Sequence, residues 1–436
     1  MTDYHAIDFF RDAGVVADPY PYFEHLRAQC PVQREPHHDV VMVTGYDEAV
    51  RVYNDHESFS SCTAVTGPFP GFPVPLEGDD VSDLIARHRD ELPMSDQLPT
   101  LDPPTHTDHR ALLMRLITPK RLKENEAAMW HLADGLLETY LEGGEGEFVS
   151  GFAGPFTLLV IADLLGVPEE DRAAFRAGLQ RPQAPDPGIG STGEDTMEHA
   201  PLEFLYGQFT AYIEERRSRP RSDVLTELAA ATFPDGSQPD VADVVRVAVN
   251  LFAAGQETTV RLLGSALRVL AECPDLQRML RGDRRRIPAF IEESLRTESP
   301  IKGDFRLSKR PVTVGGVELP AGTTVMLVNG AANRDPRQFH APDVFDPERS
   351  NARRHLAFGR GIHSCPGAPL ARAEARVAIE RLLDRTTDIR ISERAHGPAD
   401  ARRYTYVPTF ILRGLTDLKL EFETTEGSDT AGGAPR

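Results

Sequence analysis

The sequence predicts a mainly α-helical fold with small β-sheets. Three observations carry this. Apolar residues recur at helical spacing over 120–142, 151–166, 168–179, 202–219, 222–232 and 288–298. One further run, 239–271, is apolar nearly all round (Val241, Val244, Val247, Leu251, Phe252, Val260, Leu263, Leu267), the pattern of a helix buried through a core. The β signal is confined to short stretches at 40–43, 301–328 and about 386–422.

The chain has 436 residues, 40% of them hydrophobic, which is ample for a large core. Length alone suggests two or three domains. A net charge of -19 argues against nucleic acid as a partner. The four cysteines (Cys30, Cys62, Cys273, Cys365) have no paired spacing, so no disulfide framework is implied. The polar, acidic start lacks a signal-peptide layout. No unbroken apolar run is long enough to span a bilayer. A soluble, cytoplasmic protein without a membrane anchor is therefore expected. Residues 423–436, rich in Gly, Thr and Glu, read as a disordered tail.

In chain order, Pro19 and Pro21 open a helix over 19–29, and another is expected over 46–54. Residues 59–99 break the pattern. The run Gly67-Pro68-Phe69-Pro70-Gly71-Phe72-Pro73 excludes a regular element, and only 82–90 reads as a short charged helix. An irregular stretch of this length in a compact enzyme usually has a functional reason. Residues 102–110 read Asp-Pro-Pro-Thr-His-Thr-Asp-His-Arg. Pro104 starts a helix, and His106 and Arg110 share one face, where they suit a carboxylate. From spacing alone, a solvated face is the plainer reading. Residues 181–197 are a Pro/Gly-rich loop.

The middle of the 239–271 helix reads Ala253-Ala254-Gly255-Gln256-Glu257-Thr258-Thr259. Gly, a carboxylate and two threonines inside a buried helix work against propensity and desolvation. Such violations tend to mark function. Gly255 and the alanines leave room for a large flat ligand, and Thr258 can bond the Ala254 carbonyl. A bundle helix with a tolerated polar patch is the alternative. Within 288–298, Glu293 and Arg296 lie on one face, which for a surface pair is worth little. Turns are expected at Gly315-Gly316 and Pro320-Ala321-Gly322.

Cys365 sits where a loop meets an apolar helical pattern. Pro366 suits a first helical position, which puts the sulfur at a helix N-terminus that favours a thiolate. Gly359 and Gly361 allow a tight turn. Phe358 offers a flat apolar face beside the sulfur. An accessible, thiolate-favouring cysteine suits a single axial metal ligand. A buried structural cysteine would not require these neighbours. A nucleophilic pair with His363 is disfavoured by their closeness in sequence.

The run Phe358-Gly359-Arg360-Gly361-Ile362-His363-Ser364-Cys365-Pro366-Gly367 resembles, without departure, the F-G-x-G-x-H-x-C-x-G pattern of the cytochrome P450 family of haem-thiolate monooxygenases. The resemblance implies a single P450-fold domain over 15–422, behind an N-terminal arm at 1–14. It makes Cys365 the axial ligand of haem b (heme b), with Phe358 and Gly255 against the haem. D-P-P-x-H-x-x-x-R is similar to the haem-contacting helix, so His106 and Arg110, with Arg306 and His363, are implied as propionate ligands. Residues 254–259 resemble the motif A/G-G-x-D/E-T-T. Thr258 is then the oxygen-proximal hydroxyl and Glu257 the acid of a proton-delivery path. Glu293, Arg296 and Arg349 are implied as a buried structural trio. By the same resemblance the 59–99 region lies over the substrate, and the helices at 168–179 and 202–219 act with their loop as a lid. The implied pocket takes in Phe69, Phe72, Asn250, Ala253, Ala254, Ile301, Lys302 and Ile411. Asn250 and Lys302 hint at a polar anchor for an otherwise apolar small molecule, unless Lys302 faces away.

The implied reaction inserts one oxygen atom from O2 into a C–H bond or double bond. No G-x-G-x-x-G follows a strand, so a separate ferredoxin with its NAD(P)H-dependent ferredoxin reductase is expected to supply electrons. Arg110, Arg115, Lys120, Arg121, Arg360 and Arg372 are candidates for a basic docking patch. A monomer is expected. The alternatives are a peroxide-driven peroxygenase, which typically lacks the acid–threonine pair, a non-enzymatic haem-binding sensor and, more distantly, a cysteine hydrolase.

Overall fold

The Val241–Glu272 helix runs 32 residues through the middle of the molecule. The structure, a computed structural model, describes residues 4–179 and 200–425. The loop expected at 181–197 lies outside them. Helices Gly154–Leu165, Ala200–Ser218, Ala368–Arg385 and Thr105–Leu116 pack against the central helix. Its all-round apolar sequence is what this position demands. The main core joins these helices through Phe148, Phe152, Phe156, Phe252 and Leu263.

Local signals fix most helix ends. Tyr20–Gln29 and Tyr46–Asn54 form as expected. Thr118 caps Pro119–Tyr140 by accepting from the Arg121 N–H at 3.3 Å. Gly166, at φ 75°, closes Gly154–Leu165 in the left-handed conformation. The 222–232 pattern yields only Val224–Ala229. Pro274–Gly282 is a helix beyond the sequence-based expectation.

Among the described residues the strands are ten and short: β1 Val32–Arg34, β2 Val41–Val43, β3 Phe59–Ser60, β4 Glu145–Glu147, β5 Asp304–Ser308, β6 Val312–Val314, β7 Val317–Leu319, β8 Thr324–Leu327, β9 Thr386–Ile391 and β10 Lys419–Thr424. Five form a sheet in the order β1-β2-β8-β5-β3, in which only β2 and β8 are parallel. β4, β10 and β9 form a second sheet, and β6–β7 a hairpin turning at Gly315-Gly316, both at positive φ. β4 reads Glu-Gly-Glu, so its pairing with β10 rather than propensity makes it a strand.

Three boundaries shift. Phe9 and Phe10, within the expected N-terminal arm, are buried with Tyr22, Phe23, Phe305 and Phe410 in a second core beside the large sheet. The described part of that segment, residues 4–14, therefore packs as part of the body, because its aromatic pair removes apolar surface from water. Glu423 and Thr424, assigned to the tail, belong to β10, while 426–436 lie outside the described residues. Within the 386–422 stretch expected to hold strands, residues 410–411 between β9 and β10 form a bend, joined to the rest by the Ile301–Leu412 bridge.

Candidate active site

The loop before the Ala368–Arg385 helix turns twice through glycine. Gly359 and Gly361 have φ of 61° and 68°. A Cβ on Gly361 would collide with the Tyr53 carbonyl. The Cys365 N–H donates to the Phe358 carbonyl at 2.8 Å, which folds the sulfur back over the loop. The helix starts at Ala368, with Gly367 as its cap, two residues later than Pro366 suggested; Pro369 occupies its first turn. The consequence survives the shift: the Gly367 and Ala368 N–H groups both bond the sulfur. Burial pushes the thiol pKa up, while these N–H groups, Arg110 and Arg372 pull it down.

Cys365 is accessible although protein surrounds it on all sides. Ala254 is likewise exposed in mid-helix, between buried Phe252 and buried Thr259. Accessible surface inside a packed interior means a cleft. Thr258 lies on the same face, its hydroxyl donating to the Ala254 carbonyl at 2.8 Å as the four-residue spacing allows. Asn250 and Ala253 also belong to this face, both half-buried.

A second cluster is cationic. The His106 and His363 rings lie 4.1 Å apart, centroid to centroid. Arg110 and Arg306 act on both imidazoles. Burial first, then Arg110, pushes His106 down to about 4; burial first, then Arg306, pushes His363 to about 2. Nearby acceptors are already engaged. Asp102 takes the Ser60 hydroxyl and the Ser61 N–H, and Asp304 takes Arg306 at 3.3 Å. Ser61 Oγ lies 3.0 Å from His363 Nε2. His106 Nε2 is buried without a partner. Arg110 donates to the Ser364 carbonyl at 2.7 Å, directly beside Cys365. Two arginines and two imidazoles, with His106 Nε2 buried and unpartnered, fit a ligand with two carboxylates. With the accessible sulfur and the alanine face, the residues present fit a flat, dianionic haem.

A cytochrome P450 family model matches residues 197–387. "Cytochrome P450 144" of Mycobacterium tuberculosis is 35% identical over 423 residues, covering 96% of this chain and 92% of its own length. "Cytochrome P450 monooxygenase PikC" of Streptomyces venezuelae is 32% identical, with 93% and 91% covered. The chain is a cytochrome P450. The solved structure of substrate-free CYP150A6 from Mycobacterium marinum superposes with a TM-score of 0.92 at 55% identity, over 97% of this P450 and all of that chain (100%). Among the described residues, no helix is long and apolar enough to cross a membrane.

Several site residues lie where the sequence placed them. Arg296 donates to Glu293 at 2.7 and 2.8 Å, and Arg349 to Glu293 at 3.0 Å; Glu293 and Arg296 are 0% exposed. Phe358 is half-buried, with the Arg372 guanidinium 4.6 Å above its ring.

Others are corrected. Gly255 does not open the cleft, because a Cβ there would strike Ile161; its small size serves packing on the Gly154–Leu165 helix. Lys302 is 1% exposed and donates to the Thr409 carbonyl at 2.5 Å, with burial holding its pKa well below that of a free amine. It clamps the bend and does not present a charge to substrate. Phe69 packs on Phe10, His38 and Phe410, and Phe72 against His88 and the small core of Val81 and Ile85. Ile411 is buried in the second core, with Ile301 packed against it.

Three functional features were missed. Arg261 binds Glu257 at 2.9 Å and the Leu415 carbonyl at 3.1 Å; the i,i+4 spacing was readable. Glu374 is fully buried beside Thr259, and neither oxygen has a partner of hydrogen-bond geometry. Burial pushes its pKa well up. A carboxylate in line with Leu370, Val377 and Ala378 on the apolar face of its helix was its signal. Glu292 is also buried. Burial raises its pKa, but bonds from His355 and Arg372 win and bring it to about 2.

Proposed function

We propose that this P450 binds haem b through Cys365 and acts as a ferredoxin-driven monooxygenase, inserting one atom of O2 into a C–H bond or double bond of an apolar small molecule. The observation that carries the reading is the accessible Cys365 sulfur, bonded by the Gly367 and Ala368 N–H groups at the start of a helix that packs on the central one. When bound, haem supplies the iron that activates O2, and a thiolate ligand favours O–O cleavage. The chain does the rest. His106, Arg110, Arg306 and His363 hold the propionates. Thr258 Oγ1, on turning away from the Ala254 carbonyl that it bonds at 2.8 Å, would donate a hydrogen bond or proton into the cleft. Glu257, released from Arg261, passes a proton toward that hydroxyl. Asn250, Ala253 and Ala254 give substrate a small, mostly apolar wall.

Electrons are expected from a ferredoxin and its NAD(P)H-dependent reductase. The supporting surface is a concavity of about 220 Å³ lined by Arg353, Arg372 and Arg376 beside the Ala368–Arg385 helix. It shares Arg372 with the patch read from sequence. Arg110 turns inward to Ser364, while Arg115, Arg121 and Arg360 are tied to Thr232, Glu227 and Tyr46. Glu292 also lines the hollow and pairs with Arg372, while Arg376 pairs with Glu126 and Glu380, so an acidic partner would meet three arginines partly neutralised from below.

The test is spectroscopic. Reduced protein with carbon monoxide should give a strongly red-shifted band, lost in Cys365→Ala. A panel of terpenoids, steroids, fatty acids and polyketides, screened for spin-state shifts, then identifies the substrate class. A Cys365→Ala protein that keeps the band would sink the assignment.

A further inference from the structure

Burial along the central helix singles out one polar side chain. Between Val244 and Phe252 every residue is buried except Arg246 and Asn250. Arg246, Asn250, Ala254 and Thr258 follow one another at four-residue steps, so they share one face. At about 1.5 Å per residue, Asn250 lies roughly 6 Å along the helix from Ala254 and roughly 12 Å from Thr258. A half-buried asparagine in this apolar stretch works against both helix propensity and desolvation. Packing does not call for it, since Val247, Ala248, Val249 and Leu251 fill the buried sides.

The helix itself orients the amide. Asn250 Nδ2 donates to the Arg246 carbonyl at 2.8 Å, and a carbonyl can only accept, so the nitrogen must take that side. Oδ1 is left on the other side of the amide, and among the described residues it accepts no hydrogen bond. The charges beside it select what can meet it. Arg246 Nε donates to Asp96 Oδ2 at 2.9 Å, and its NH1 donates to Asp243 Oδ1 at 2.7 Å. His109 Nε2 lies 3.7 Å from that Asp243 oxygen, but burial pushes its pKa below the usual imidazole range, so it adds little charge at neutral pH. Two carboxylates therefore face one guanidinium. A carboxylate ligand would meet net negative charge there, with Arg246 already engaged. An ether or ketone could accept only from the second Nδ2 hydrogen, and would leave Oδ1 unpaired once water is displaced. A neutral hydroxyl meets the need of Oδ1 directly.

We propose that Asn250 determines specificity by selecting an uncharged alcohol on an apolar skeleton, its Oδ1 accepting from the substrate O–H roughly 6–12 Å from the carbon to be oxidised. This rests on the reading of the Ala254–Thr258 stretch as the oxygen-facing part of a haem monooxygenase cleft. The hydroxyl fixes one end of the molecule, and Ala253 and Ala254 leave room for its skeleton. A buried acceptor of this kind discriminates strongly, because an analogue that lacks the O–H leaves it without a partner. Fatty acids, which carry a carboxylate, are thereby disfavoured.

The test uses the full-length haem-loaded protein and reads binding from the spin-state shift of the Soret band. The probes are decahydro-2-naphthol, 1-dodecanol and 5α-androstan-3β-ol, each with its methyl ether, together with dodecanoate. At least one alcohol should bind about tenfold tighter than its ether, as expected when the ether leaves an acceptor unpaired. Dodecanoate should bind no tighter than 1-dodecanol. Asn250→Leu roughly keeps the volume, suits a helix and removes the acceptor. It should weaken the alcohol and leave the ether unchanged or tighter, whereas a merely structural loss would weaken both. Equal affinity for alcohol and ether in the native protein, no shift with any alcohol, tighter binding of dodecanoate, or a preference that survives Asn250→Leu overturns the proposal. If the reduced protein lacks the red-shifted carbon monoxide band, the haem-thiolate reading fails and takes this proposal with it. The band present without the preference removes the proposal alone.

Discussion

Glu293 makes a sharp test of how the fold holds its haem loop. Its Oε1 accepts from Arg296 at 2.7 Å, from the Asp346 N–H at 2.9 Å and from Arg349 at 3.0 Å; its Oε2 accepts from Arg296 Nε at 2.8 Å. Glu293→Ala removes all four bonds and leaves the Arg296 guanidinium inside the protein without a counter-charge. The carbonyls of Asn333, Pro342 and Val344 still accept from Arg296, but none is an anion. Breaking a buried pair from one side costs about 3–5 kcal/mol. The expected loss on urea unfolding is therefore in that range, far above the ~0–1 kcal/mol of an exposed pair. A companion variant separates charge from shape. Glu293→Leu with Arg296→Met removes both ions and should be less destabilised than Glu293→Ala, because no uncompensated charge remains. A Glu293→Ala loss below about 1 kcal/mol, or a double variant worse than the single, would refute the reasoning; both magnitudes follow from burial.

Three further outcomes are expected. Arg110→Ala with Arg306→Ala should weaken haem retention, since charged hydrogen bonds contribute about 1.5–3 kcal/mol each; transfer of haem to apomyoglobin measures it, and native-like retention would contradict the propionate assignment. Thr258→Val keeps the shape and removes the donor, so reductant should still be consumed while product falls and hydrogen peroxide rises; native coupling would leave Thr258 as a helix-bending residue only. The haem-free protein should lose stability in acid. His106 is depressed to about 4 when folded, against about 6.5 unfolded. The unfolded chain therefore binds the extra proton between these values, and stability falls as pH drops from about 6.5 to about 4 by up to ~1.4 kcal/mol per pH unit. His106→Phe should flatten that slope in pH-dependent denaturation, and an unaltered slope would show that His106 is not its source.

Sequence by itself determined what is local or carried by a specific run. The Thr258–Ala254 hydrogen bond follows from four-residue spacing in one helix. The glycines around Cys365 announce its turn, because left-handed backbone is read directly from residue type. The helical class follows from periodicity, and the cysteine loop resembled one family closely enough to bring Arg349 to Glu293 before any coordinates. Tertiary structure decided what depends on a neighbour far along the chain. Lys302 suggested a substrate anchor, but its acceptor, Thr409, is 107 residues away. Phe69 suggested a pocket wall, until Phe10 and Phe410 closed around it. Gly255 suggested space for a ligand, and Ile161 takes that space. Glu374 carried a weak signal because its burial against the central helix is a property of packing. Composition and period report the energy of a residue with its own element; a side chain's final role is set by what the fold puts against it, which no local pattern encodes.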